Sequence, residues 1–269
     1  MIVDSKIFCL CLDNKLADSV IDLGYLPVGL GKGEFNKKWF RDNTGNNISN
    51  KNSYYGEYTF HYWLWKNYLN EIKDNQWTGF CTYRRFWKSE TDNPKNFKDS
   101  ILNKIPEKWS GYETILATKI DLTNIKWVKV IKYGKKAFLK NPKSILKKYR
   151  NIKFQFELNH GVGNLDKAID LLEKDDREDF RKFVNNNTSY NQCNLFICKS
   201  KKTITKYYET IFKWLYKCEE IFGFDLKGYN NVRIYGFLAE RFLPYWFKKN
   251  SKTLEWPIIF NDLSDKSID

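Results

Sequence analysis

Apolar residues fall into short runs along the chain, and the runs change period from strand-like to helical. "KIFCLCL" (6–12) is a nearly continuous apolar run with the composition of a buried strand, and "YLPVGLG" (25–31) reads as a second short strand closing in glycine turns. Residues 54–69 predict a helix, with Tyr55, Tyr58, Tyr62, Trp65 and Leu69 recurring on one face. "WTGFCTY" (77–83) predicts a buried strand that runs directly into Arg84 and Arg85, and "YETILAT" (112–118) and "CNLFICK" (193–199) are strand-like too. "NLDKAIDLLEK" (164–174) predicts a helix with Asn164 as N-cap and Asp166 in the first turn. A longer helix is expected over 201–222, carrying Ile204, Tyr208, Ile211, Leu215 and Ile221 and stopping at Gly223. A last helix covers about 233–248.

No repeat, low-complexity stretch or Pro/Gly/Ser linker interrupts this alternation. It predicts a single α/β domain over 1–269, with a core at about 6–248, a tail at about 249–269, and a mostly parallel central sheet flanked by helices. In open sheets of this kind ligands bind beyond the carboxyl ends of the strands. Three polar stretches fall there: Asp13-Asn14-Lys15, Gly29 to Gly33, and Tyr83-Arg84-Arg85. The loop 41–53, "RDNTGNNISNKNS", would form the remaining wall, with Asp42, Asn43, Asn47, Ser49 and Asn52 matched to ribose and sugar hydroxyls.

Composition narrows the class. With 42% hydrophobic and 17% aromatic residues the chain is too apolar for disorder. No apolar run approaches the roughly 20 residues that span a bilayer. The start, "MIVDSKIFCLCLDNK", carries Asp4 and no basic lead, so it reads as a first strand rather than a signal peptide. Six cysteines lie mostly in apolar segments without a CxxC pair, which predicts buried free thiols in a reducing cytoplasm. The net charge of +14 suits an anionic partner, yet most of it is scattered lysine, so the arginine pair is the more informative feature.

Several chemistries are excluded. Two histidines cannot build a multi-histidine metal site. "GLGKG" (29–33) lacks phosphate-loop spacing and reads as a glycine turn, and no nucleophile elbow appears. "DDRED" (175–179) caps or follows a helix and faces water. The rings recur at helical spacing, as core residues do, so no nucleic-acid partner is expected.

Four stretches in order resemble the DUF4422 family of bacterial polysaccharide-biosynthesis proteins, held to be glycosyltransferases. They are "RDNTGNNISNKNSYYGEYTFHYWLWKN" (41–67), "GFCTYRRFW" (79–87), "FELNHGVGNLDKAIDLL" (156–172), and "NLFICK" (194–199) with "RIYGFLAERFLPYWF" (233–247). The resemblance spans about residues 6–248. It implies a GT-A-like fold, a UDP-sugar donor, and a surface-glycan or lipid-linked acceptor, with galactofuranosyl transfer among the associated activities. Thr82 departs from the family, which usually has His before Tyr-Arg-Arg.

Transfer from a nucleotide sugar builds negative charge on the leaving diphosphate, which a divalent metal or fixed cations must stabilise. No strand here is followed by the D-x-D that holds metal in most GT-A enzymes. Arg84 and Arg85 stand at that place, so they are the expected phosphate clamp; Mn or Mg is the alternative, and carboxylate or cap contacts of the two arginines the bland one. Donor contacts are thus expected from Leu12, Asp13, Gly29, Gly31, Asp42, Asn43, Asn47, Ser49, Asn52, Arg84 and Arg85. An inverting transfer needs a base. Glu240 is the first candidate and Glu57 the second, although Glu240–Arg241 can equally be a buried ion pair and Glu57–His61 a structural pair. His160, Asn194 and Arg241 are the acceptor-side candidates, His160 also suiting a plain loop hydrogen bond. Inner-face membrane association follows from the acceptor class. A catalytically silent nucleotide- or glycan-binding protein of the same fold is the competing expectation.

Overall fold

The strand predicted at the start of the chain becomes an interior strand of the large sheet. In the computed structural model, which describes residues 5–124, 139 and 142–265, β1 (Ser5–Cys11) is buried along nearly its whole length. A strand buried on both faces belongs in the middle of a sheet. It pairs in parallel with β2 (Leu26–Gly29) on one side, beyond which β3 (Phe40–Arg41) lies, and directly with β4 (Trp77–Thr82) on the other. The chain continues through β5 (Arg85–Trp87), β6 (Thr114–Ala117), β7 (Lys119–Asp121), β8 (Ser189–Asn191), β9 (Phe196–Cys198), β10 (Thr253–Trp256) and β11 (Ile258–Phe260). Along the main path the order is β10-β6-β9-β4-β1-β2-β3, with β5 joined to β4 and β11 to β5. The sheet is mostly parallel along this path; β9 runs antiparallel between β6 and β4.

Phenylalanines hold one face together. Phe8 of β1 lies 5.3 Å from Phe60 and 5.9 Å from Phe80 between ring centroids, and Phe80 lies 5.0 Å from Phe196, which meets Phe247 at 4.7 Å. All five are fully buried. Each such side chain contributes about 1.5–3 kcal/mol on leaving water. Gly79 is required where β4 crosses closest to β9, since a Cβ there would come within 2.4 Å of Ile197.

The chain groups into two compact units. The first comprises residues up to Thr118, Cys193–Glu209 and Phe247 onward; the second comprises Lys119–Gln192 and Thr210–Trp246. The large sheet belongs to the first. The second contains the β7–β8 ladder and the helices Ile152–His160, Asn164–Asp170 and Lys174–Asn186, around a core that includes Phe180, Trp214 and Phe242. Each unit is assembled from separated stretches, so no linker marks the boundary.

Five local expectations need correction. The helix expected over 54–69 is broken: Gly56 at φ 58° separates Asn52–Tyr55 from Tyr58–Trp63, and a π-helical turn, Leu64–Tyr68, follows. Gly163, not Asn164, caps the next helix, and Asn164 turns its amide back to the His160 carbonyl at 2.7 Å. That helix ends at Asp170, and "DDRED" lies inside the helix Lys174–Asn186. The strand expected from Cys193 begins only at Phe196, because Cys193 and Asn194 both have positive φ, 81° and 52°. All six cysteines are free; Cys193 is half-buried and the others are buried.

Candidate functional site

Parallel pairing brings the carboxyl ends of β4, β1, β2 and β3 to one edge of the first unit. Register places Thr82 beside Leu10, Cys11 beside Gly29, and Gly29 beside Arg41. The predicted polar stretches therefore do converge: Leu12-Asp13 after β1, Leu30-Gly31 after β2, Asp42 after β3 and Tyr83-Arg84 after β4. Leu12 is 57% exposed, and Asp13 accepts the Lys15 amide at 2.9 Å in a tight turn.

The arginine pair sits in a hairpin. Thr82 pairs with Arg85 across it, and the Thr82 hydroxyl accepts the Arg84 amide at 3.3 Å, so Thr82 braces the turn. Arg85 opens β5, its guanidinium 5.9 Å from the Phe260 ring. The Arg84 side chain stacks over Tyr83 at 4.7 Å, remains 45% exposed, and donates from Nε to Asp262 at 2.7 Å. The C-terminal segment makes that contact possible. β11 adds to β5, the Asn261 amide donates to the Arg84 carbonyl at 3.1 Å, and the Leu263 amide to the Tyr83 carbonyl at 3.1 Å. Hydrogen bonds from Ser264, and then the Arg84 charge, hold the Asp262 carboxyl below the usual carboxylate range.

The glycines of 29–33 serve packing and hydrogen bonding. A Cβ on Gly29 would come 2.4 Å from the Phe35 ring, and one on Gly33 2.7 Å. Arg41 lies over this ring at 4.6 Å and donates to the Gly33 carbonyl at 2.9 Å. Gly31, at φ 70°, donates its amide to both oxygens of Asp42, at 3.0 and 3.2 Å.

Asp42 is the hub of the loop. It is fully buried and also accepts the Thr59 hydroxyl at 2.6 Å. Burial pushes its carboxyl up, against the pull of those hydrogen bonds. Around it the loop bonds to itself. Asn52 donates to the Gly56 carbonyl and the Thr59 hydroxyl, Asn47 accepts both the amide and hydroxyl of Ser49, and Trp63 donates to Thr44 at 2.9 Å. Asn67 accepts the Asn46 amide and donates to the Asn46 and Trp63 carbonyls. Of the loop residues expected on the donor, only Asn43 is exposed; Asn47, Ser49 and Asn52 are half-buried, with side chains engaged as above.

Glu57 is half-buried at the start of the helix Tyr58–Trp63. His61 turns instead to Tyr208: Nδ1 meets the Tyr208 hydroxyl at 2.9 Å, and Phe80 and Phe196 flank the ring at 4.1 and 5.7 Å. Burial lowers its pKa to about 3, so it is neutral at physiological pH. Asn194 is buried.

The remaining candidates belong to the second unit. Arg241 is 2% exposed; it donates from Nη1 to Glu240 and the Phe237 carbonyl, and from Nη2 to Gln155 at 2.8 Å, among the rings of Phe156, Tyr190 and Phe237. The ion pair anticipated for Glu240 and Arg241 is present. His160 lies against Phe237 at 4.1 Å, and its Nδ1–H donates to the Asn230 carbonyl at 2.8 Å, which leaves the lone pair on Nε2. Burial, aided by the Arg241 charge, lowers its pKa to about 3.

Residues 10–251 match DUF4422, described as a domain of unknown function. The chain belongs to the DUF4422 family. Its fold is similar to that of the apo structure of WbbM, a bifunctional glycosyltransferase, with a TM-score of 0.70 and 21% identity over 95% of this chain. The match covers 45% of the WbbM chain, so the DUF4422 chain spans just under half the length of that protein. No curated protein matches it. Within this DUF4422 chain, the signature stretch 41–67 builds a self-bonded loop anchored by aromatics. Sequence reasoning missed Asp262, because it meets Arg84 through the pairing of β11 with β5, which no local pattern announces. Among the described residues, no three His, Cys, Asp or Glu side chains converge as metal ligands.

Proposed function

We propose that this chain is a glycosyltransferase that moves a sugar from a nucleotide-sugar donor, a UDP-sugar such as UDP-galactofuranose, to a surface-glycan or lipid-linked acceptor. The observation that carries the proposal is the likeness to a bifunctional glycosyltransferase over 95% of this chain, with an arginine hairpin at the carboxyl edge of the parallel strands. The leaving diphosphate gains negative charge as the glycosidic bond to the sugar breaks, and Arg84 and Arg85 supply fixed positive charge there. Arg84 is the more available of the two, at the tip of the hairpin. Leu12 offers an exposed apolar face and Asp13 a carboxylate for the nucleoside. The acceptor hydroxyl loses its proton to a carboxylate, for which Glu240 and then Glu57 are proposed. Acceptors of this class would bring the protein to the inner face of a membrane.

The test is UDP affinity by calorimetry. A charge-assisted phosphate contact is worth about 1.5–3 kcal/mol, so Arg84→Ala should weaken UDP binding roughly ten- to a hundredfold. Lysine should restore part of it, lacking the planar fork. Unchanged affinity in folded Arg84→Ala and Arg85→Ala, or binding abolished by EDTA, would overturn the arginine clamp. Glu240→Gln should keep UDP binding and lose about 10²–10⁴ in transfer rate; normal turnover would move the base to Glu57. The second reading, a silent binding protein, draws on Thr82, whose hydroxyl braces the hairpin where the family usually has His. Tight UDP-sugar binding with neither hydrolysis nor transfer across a broad acceptor panel would favour it.

A further inference from the structure

Between Asp121 and Glu157 the sequence holds ten lysines, one arginine and no acidic residue. Scattered charge accounts for most of the basic excess elsewhere, but an acid-free stretch of this length is a local feature. Its described part is well formed. Two 3₁₀ turns, Pro142–Ile145 and Lys147–Tyr149, follow one another directly. They are pinned from within by Arg150, which is 2% exposed and donates to the Ser144 carbonyl at 3.1 Å and the Thr123 carbonyl at 2.7 Å. Ser144, between the exposed positions, is also buried.

The side chains pointing outward are of two kinds. Leu146 is 53% exposed and Tyr149 41%, and Leu139, just upstream, is 76% exposed. Interleaved with the first two are the exposed Lys143, Lys147 and Lys148. Lys148 lies 5.2 Å from the Tyr149 ring, and Lys147 reaches the Asn124 side chain at 3.3 Å. Asp121, the nearby acid that feels Lys147, is turned to Thr123 and Asn124. A single exposed leucine is ordinary. Apolar side chains held outward on a pinned backbone, among lysines without acidic partners in sequence, are the pattern of a surface that enters the headgroup layer.

We propose that the turns Pro142–Ile145 and Lys147–Tyr149 dock on an anionic lipid bilayer. Leu146 and Tyr149 would enter the boundary between headgroups and acyl chains, and Lys143, Lys147 and Lys148 would meet the lipid phosphates. A nucleic-acid strand shares the phosphates, but it offers no use for an exposed leucine, since single-strand binders rely on stacked rings. The proposal rests on the membrane-presented acceptor proposed above, and deepens it by naming the surface that finds the membrane.

The experiment is co-sedimentation of the full chain with phosphatidylcholine vesicles, with and without about 30 mol% phosphatidylglycerol. The chain should pellet only with the anionic vesicles, more weakly as salt rises. Each lysine near such a surface contributes roughly fivefold in partitioning. Replacing Lys143, Lys147 and Lys148 by Gln should therefore weaken pelleting on the order of a hundredfold. Leu146→Ser with Tyr149→Ser should remove the part of binding that survives high salt. UDP affinity should be the same in all three proteins; it reports folding and donor binding separately, so a failed vesicle result and a failed nucleotide site are told apart. The proposal is overturned if the wild-type chain ignores anionic vesicles at low salt, if the triple lysine variant pellets like wild type, or if the lysines govern binding to a short oligonucleotide and not to vesicles.

Discussion

Arg84 has two possible partners of the same charge, and only one of them is built into the chain. Asp262 holds its Nε at 2.7 Å while nearly half of the side chain stays in water. Such a half-exposed pair is worth about 0–1 kcal/mol, far less than a charge-assisted bond to a diphosphate. The native carboxylate is thus a weak competitor that keeps the guanidinium near the hairpin tip. Asp262→Asn should strengthen UDP binding about two- to fivefold, measured by calorimetry beside Arg84→Ala. Weaker binding in that variant would mean that Asp262 aims Arg84 at the nucleotide rather than competing with it. The arginines were legible because an apolar strand ended in them. Asp262 was not, since its approach depends on β11 pairing with β5 from the far end of the chain.

Loop 41–53 and the helix after it act as one element, and polarity there has two sources that a sequence does not separate. Small polar side chains can face a ligand or can satisfy a turn's own backbone, and composition is the same in both cases. Here Asp42, Asn47, Ser49, Asn52 and Asn67 are spent largely on the loop itself. Gly45 shows how tightly: it sits at φ 52°, and a Cβ would come 2.3 Å from the Asn67 side-chain oxygen. Gly45→Ala should therefore cost about 1–3 kcal/mol from backbone strain and displaced hydrogen bonds. In a chain of this size that lowers the melting temperature by several degrees; a calorimetric scan equal to wild type would show that the loop adapts. Elements with long apolar runs, such as β1, β4 and the helix Lys201–Phe222, could be read from pattern alone. β3, β5 and β11 could not, because strands of two or three residues carry no period and exist by virtue of their partners.

At the scale of the whole molecule, the only two histidines are both buried and both neutral, one in each unit. Their folded pKa values, about 3, lie below the ordinary value of 6.5, so they favour the folded state above pH 6.5 and lose that contribution as pH falls toward 3. At pH 5 the loss approaches about 2 kcal/mol for each histidine. Urea midpoints at pH 7 and pH 5 should differ accordingly, and His61→Phe, among Phe80 and Phe196, should flatten its share of the difference; an unchanged slope would mean that His61 titrates in the folded protein. The two-unit division was hidden from sequence reading because the chain passes from one unit to the other without a linker, at Thr118–Lys119, Gln192–Cys193, Glu209–Thr210 and Trp246–Phe247. That path constrains the gene as well. No single break in the reading frame separates the units, so exchange of halves between relatives would split both cores at once. A stop codon before residue 247 would remove β10 and β11, along with Asp262, from a sheet whose first strand was made at the other end of the message.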